Sequence, residues 1–92
     1  MAKGEEQQVW QARPGLLYRP LVDGGMIYDG ESGQVHHLNA TAAQVWEGCR
    51  NGATREELAA VLCSRYAVEV ARAQADVARI LEHFAGVRLL QP

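Results

Sequence analysis

MIYDGESGQVHHLNATAAQVW, residues Met26 to Trp46, is the stretch that decides the fold of this chain. Met26, Ile27 and Tyr28 make a short apolar and aromatic strand, the kind of side chains that suit a pleated surface. Asp29-Gly30-Glu31-Ser32-Gly33 then supplies turn chemistry. Glycine takes positive φ without steric cost, and aspartate accepts a local backbone hydrogen bond. Gln34 to Leu38 returns as a second strand, and Asn39-Ala40-Thr41 opens a helix. The hairpin runs almost directly into that helix, which leaves no room for a catalytic loop between them.

Upstream, Leu16, Leu17 and Tyr18 suit a further strand, with Pro14-Gly15 marking a turn just before it. Pro20 either limits this strand at its end or places it at a sheet edge, because proline has no N–H for a ladder. Asp23-Gly24-Gly25 reads as the next turn. Downstream, the spacing predicts three helices. The first covers about Ala40 to Asn51, with Ala42, Val45, Trp46 and Cys49 at i, i+3, i+4 and i+7. Asn39 or Thr41 serves as its N-cap, and Asn51-Gly52 closes it. The second begins at Thr54, with Glu57 in capping-box spacing, carries Leu58, Val61 and Leu62 inward, and ends near Tyr66. The third covers about Val70 to Ala85, with Ala73, Val77, Ile80, Leu81 and Phe84 on one face. Arg72 with Asp76, and Arg79 with His83, fall i, i+4 on its flank. Gly86 is placed as the residue after the helix, and Val87-Arg88-Leu89-Leu90 tucks back onto the core or adds a short strand. The expected fold is α+β and winged-helix-like: a three-stranded antiparallel sheet followed by three helices.

With 92 residues, of which 48 % are hydrophobic, the chain is sized for one domain, expected over 9–92 after a flexible stretch at 1–8. A core this small leaves little volume for an enclosed active site. Nine basic against eleven acidic side chains, a net charge of −2, give no electrostatic reason to expect nucleic acid. The charge on each helix agrees: Arg55 and Arg65 offset Glu56 and Glu57, and Arg72 and Arg79 offset Asp76 and Glu82. Val22 to Leu38, where a wing would lie, has three acidic residues and no Lys or Arg. No apolar run reaches the ~20 residues of a membrane span, and the N-terminus lacks the apolar segment of a signal peptide, so a cytoplasmic location is expected. Cys49 and Cys63 then read as reduced thiols acting as small hydrophobes.

Catalysis finds little to stand on, and neither a catalytic residue nor a cofactor is expected. No serine sits in a nucleophile elbow, and no glycine-rich loop has phosphate-binding spacing. His36-His37 cannot chelate one metal together, because adjacent strand residues point to opposite faces. If Leu38 points inward, His36 shares its face while His37 shares the other with Val35. What remains is the edge of Gln34 to Leu38 beside the third helix. Such an edge presents free N–H and C=O groups to another extended chain, unless the N-terminal segment or a second copy covers it.

The ordered set of signals resembles the PqqD-like family, the precursor-peptide recognition elements of ribosomally made peptides. Its carriers are Tyr28-Asp29-Gly30-Glu31-Ser32-Gly33-Gln34-Val35-His36-His37-Leu38-Asn39, Ala42-Ala43-Gln44-Val45-Trp46, Gly52 to Leu58, Tyr66-Ala67-Val68, Asp76-Val77 and Gly86 to Leu90. The resemblance implies a β3–α3 winged-helix-like protein that binds the leader region of a precursor peptide and delivers it to a modifying enzyme. The leader would add as a strand to Gln34, Val35, His36, His37 and Leu38. Asp76, Val77, Ile80, Leu81 and Phe84 would supply the groove. The "LL-x-P-E" pattern of PqqD proper is not found, so the resemblance points to a standalone recognition protein of another peptide pathway, such as one making lasso peptides or radical-enzyme-modified peptides. A homodimer formed through the same edge is compatible with this pattern.

Overall fold

Three strands precede three helices in the computed structural model, which describes residues 8–91. Strands β1 (Leu16–Leu21), β2 (Gly24–Asp29) and β3 (Gln34–Asn39) form an antiparallel sheet in the order β1-β2-β3. Helices α1 (Ala40–Arg50), α2 (Arg55–Tyr66) and α3 (Val70–Gly86) follow. The flexible stretch expected at residues 1–8 lies, Gln8 apart, outside the described residues.

The register puts Tyr18, Ile27 and His36 side by side across the sheet on the face that meets the helices. Leu17, Tyr28 and Val35 make the matching row on the open face, all three exposed. Alternation along β3 is as its sequence predicts: Leu38 is buried and His36 half-buried, while Val35 and His37 are exposed. A Cβ on Gly24 would collide with Leu38 O, so that carbonyl leans toward β2. This fixes the ladder: Gln34, His36 and Leu38 exchange hydrogen bonds with β2, while Val35 and His37 turn theirs to the outer margin.

Pro20 lies inside β1, opposite Gly25, instead of ending the strand. Gly25 directs its hydrogen bonds to Leu38 on its other side, so the imide nitrogen of Pro20 faces the outer margin of β1 and deprives the ladder of nothing.

The buried apolar side chains form one cluster drawn from the sheet, all three helices and Leu89-Leu90. Its hub is α1, which packs on β2, β3, α2 and α3. Asn39, not Thr41, caps this helix: its side chain accepts a 2.8 Å hydrogen bond from Ala42 N. Trp46, fully buried, meets Phe84 of α3 edge-on, with ring centroids 5.5 Å apart, and Tyr18 of β1 at 6.5 Å. One indole therefore links β1 to α3 through the core. The capping box of α2 is complete, with Glu57 N donating to Thr54 Oγ1 at 3.2 Å and Thr54 N donating to Glu57 Oε1 at 3.0 Å. The inward face of α2 is Leu58, Ala59 and Leu62, and Val61 is exposed. Ala59 takes the inward place that the spacing had given to Val61.

Residues Trp10 to Arg13 form a strap on the helical side. Trp10 and Ala53 exchange main-chain hydrogen bonds of 2.7 and 3.0 Å, and Arg13 N donates to Leu89 O at 2.9 Å. Gln91 N in turn donates to Gln11 O at 2.8 Å, so the strap is held between the α1–α2 turn and the C-terminal segment. Arg13 locks it, donating to Arg88 O at 2.9 Å and to Asp29 Oδ2 at 2.8 Å. Burial opposes ionisation of Asp29, but hydrogen bonds from the Glu31 and Ser32 backbones and the Arg13 charge hold its carboxyl below the usual range. Gly86 is the last residue of α3 itself, and the left-handed position expected there falls on Arg88, at φ 64°.

A candidate peptide cleft between β3 and α3

Both β3 and α3 lean on α1 and not closely on each other, so a cleft separates them. One end is a groove of 530 Å³. His37, Leu38 and Asn39 form its β3 side, and Thr41 and Ala42 of α1 close the bottom. Across it stand Arg72, Asp76, Arg79, Ile80, His83 and Phe84 of α3. A second hollow of 760 Å³ lies at the other end of β3, between Glu31, Ser32 and Gln34 on one side and Ala85 of α3, Val87 and Arg88 just beyond it, and Trp10 and Arg13 of the strap on the other. Gln34 borders one hollow and Leu38 the other, so β3 and α3 run in opposite senses and the two hollows lie along one seam.

Along this seam the margin of β3 is open. Among the described residues nothing pairs with it, since the strap's bridges go to Ala53 and Leu90 instead. The outward N–H and C=O groups of Val35 and His37 are thus available to an added strand. Between Gln34 and Leu38 on the inward face sits His36, whose Nε2 is buried and meets no hydrogen-bond partner among the described residues. A buried polar atom without a partner costs free energy, and His36 borders neither hollow.

The α3 wall is charged at its rim. Asp76 accepts from Arg79 Nη2 at 2.9 Å and from Arg72 Nε at 3.2 Å. The Arg79 hydrogen bond first, then the Arg72 charge and hydrogen bond, hold its carboxyl below the usual range against partial desolvation.

Of the residues carried over by resemblance, His37, Leu38, Asp76, Ile80 and Phe84 come together in the first groove, and Gln34 borders the second. Val35 offers its backbone to the margin while its side chain joins the open face. Val77 and Leu81 are wholly buried in the common core, as Phe84 is, and unlike Phe84 neither borders the groove. Helix periodicity places them on the apolar stripe but does not say which edge of it faces β3. Arg72, Arg79, His83, Thr41 and Ala42 line the groove without having been singled out for it. For the α3 residues a signal existed in the spacing 72-76-79-83, one continuous stripe beside the apolar one.

Reactive groups are scarce in this arrangement. Burial pushes the Cys49 thiol up to about 12, far from the thiolate a nucleophile requires. Among the described residues no group of three or more His, Cys, Asp or Glu side chains gathers as a metal would need, and no helix is long and apolar enough to cross a membrane.

The family model for coenzyme PQQ synthesis protein D (PqqD) matches residues 24–90, which span both strands of the hairpin, all three helices and the C-terminal return. The chain belongs to the PqqD family. No curated protein is significantly similar to it. Among solved structures, the PqqD-family fold recurs in a lasso peptide synthetase B1 complexed with its leader peptide, 28 % identical with a TM-score of 0.78 over 90 % of this chain and 98 % of that one. It recurs in TbiB1 in complex with the TbiA(beta) leader peptide, at 20 % identity and TM-score 0.79, covering 88 % of this chain and 94 % of that one. The PqqD truncation of Methylobacterium extorquens PqqCD is 21 % identical with a TM-score of 0.74, covering 91 % and 89 %. That protein is described as a functional, stand-alone recognition element for ribosomally synthesised and post-translationally modified peptides.

Proposed function

We propose that this PqqD-family chain is a non-catalytic adaptor that binds the leader region of a ribosomally made precursor peptide and presents it to a modifying enzyme. The observation that carries this reading is the open β3 margin directly beside a groove in which Leu38 and Ile80 face each other among polar residues. A leader segment adds as a fourth strand through the Val35 and His37 backbone groups, which sets its register. Alternate side chains then enter the cleft, where Leu38 and Ile80, backed by the buried Phe84, receive an apolar anchor. Leader complexes of two similarly folded proteins, one of them 28 % identical, support the same reading.

Calorimetric titration with the short peptides encoded beside the gene tests it. Saturable one-to-one binding is expected, with a Kd of micromolar or better, about −8 kcal/mol. Absence of saturable binding to any of them overturns the proposal.

A further inference from the structure

We propose that the guest peptide carries an acidic side chain, which docks between Arg72 and Arg79 at the rim of the first groove. This rests on the peptide-binding reading and adds a specificity to it.

Arg72, Asp76 and Arg79 project from one face of α3, and Asp76 has both carboxylate oxygens engaged, one by each guanidinium. Among the described residues neither arginine donates to anything else. A guanidinium has several N–H donors in a planar fork, so most of those on both arginines remain open. Asp76 is largely covered, its side chain 18 % exposed, whereas those of Arg72 and Arg79 are 71 % and 70 % exposed. A ligand therefore meets the two cations before it meets the anion. Asp76 acts as a positioning residue, holding the two forks on either side of itself.

The groove contains no second Asp or Glu, so this wall keeps one uncancelled positive charge on a chain whose net charge is −2. A basic guest side chain would face two guanidiniums, while a carboxylate would take charge-assisted hydrogen bonds from both. The dimensions agree. Asp76 lies one helical turn, about 6 Å, from Ile80 on the same wall of the groove. Alternate side chains of an extended peptide are about 7 Å apart. An apolar residue over Leu38, Ile80 and Phe84 thus places a residue two positions along beside the arginines.

The test is selection from a displayed library of random peptides on the wild type, on Arg72→Glu/Arg79→Glu and on Val35→Pro. Wild-type selection is expected to enrich Asp or Glu at fixed spacing from an apolar anchor, and the charge-reversed protein to enrich Lys or Arg there. For one selected peptide, Glu→Gln should weaken binding about fivefold on the wild type, as a partly exposed charge pair allows. The same change should have no effect on Arg72→Gln/Arg79→Gln, and its effect on the wild type should shrink in high salt. Both arginines are exposed, and thermal melts establish that their variants fold. Binders that are lost on Val35→Pro but show no acidic enrichment, or identical wild-type and charge-reversed pools, overturn the acidic specificity while leaving strand addition standing. No enrichment of any peptide on the wild type overturns both.

Discussion

Val35→Pro separates strand addition from every other mode of binding in the cleft. The N–H of Val35 faces away from β2, so proline there removes no bond of the native ladder, and edge strands tolerate proline at such positions. Gln34, the preceding residue, is already extended, as proline requires of its neighbour. The Val35 side chain is 47 % exposed on the open face, so little packing is lost. The folded state should therefore persist, with far-ultraviolet circular dichroism and melting temperature close to wild type. Binding should not. The guest carbonyl that Val35 N–H would meet is left unpaired in a closed ladder, and the pyrrolidine ring occupies the hydrogen's place. A stranded buried acceptor costs about 1–3 kcal/mol, and steric displacement brings the expected loss to roughly 2–3 kcal/mol. That corresponds to a Kd about 30- to 150-fold higher. Fluorescence anisotropy with a labelled peptide that binds the wild type measures it. His36→Pro is the contrasting variant, because its N–H belongs to the β2 ladder and its loss should lower the melting temperature. If folded Val35→Pro binds within about threefold of wild type, the guest does not pair with this margin, and the assignment of Val35 and His37 as its docking groups is wrong.

Phe84→Ala should destabilise the fold by about 3–5 kcal/mol in urea titrations, since it empties the space against Trp46; a loss below about 1 kcal/mol would show that this contact is not central to the core. Under native conditions a thiol reagent should label Cys63 and spare Cys49, which is fully buried, and both should react after denaturation. Asp29 and Asp76 both have lowered folded-state pKa values, so their ion pairs stabilise fully above the unfolded carboxylate value of 3.8 and fade as pH falls through the lower folded values. The melting temperature should hold between neutrality and about pH 5 and drop below about pH 4. Arg13→Gln should flatten part of that drop, and an unchanged acid limb in this variant would rule out the Arg13–Asp29 pair as a contributor.

Local chemistry made most of the architecture legible before any coordinates. The hairpin turn, the Thr54–Glu57 capping box and the inward setting of Leu38 and His36 follow from interactions within a few residues of each other. Pro20 was readable only as a choice between a strand end and a sheet edge; the second holds, because its partner Gly25 bonds to Leu38 on the far side. The strap at Trp10 to Arg13 was not legible, since its partners Ala53 and Leu89 are remote in sequence and its apolar residues fit a strand equally well. On α3 the apolar stripe was visible, but its division was not. Val77 and Leu81 turn wholly to the core, Phe84 packs on Trp46 and only backs the groove, and Ile80 reaches its edge; that division depends on how α3 crosses α1. In the sequence Arg72, Asp76 and Arg79 are only a flank of the third helix, and the position of β3 turns that flank into a wall.

The seating of both walls on α1 sets the gauge of the cleft. Because α3 and β3 do not rest on each other, their separation is governed by how each sits on α1, and α3 is seated there by the edge-on contact of Phe84 with Trp46. A thinner or thicker side chain in place of Trp46 would narrow or widen the slot without altering any lining residue. Preference among guests can therefore drift through substitutions that no guest ever contacts.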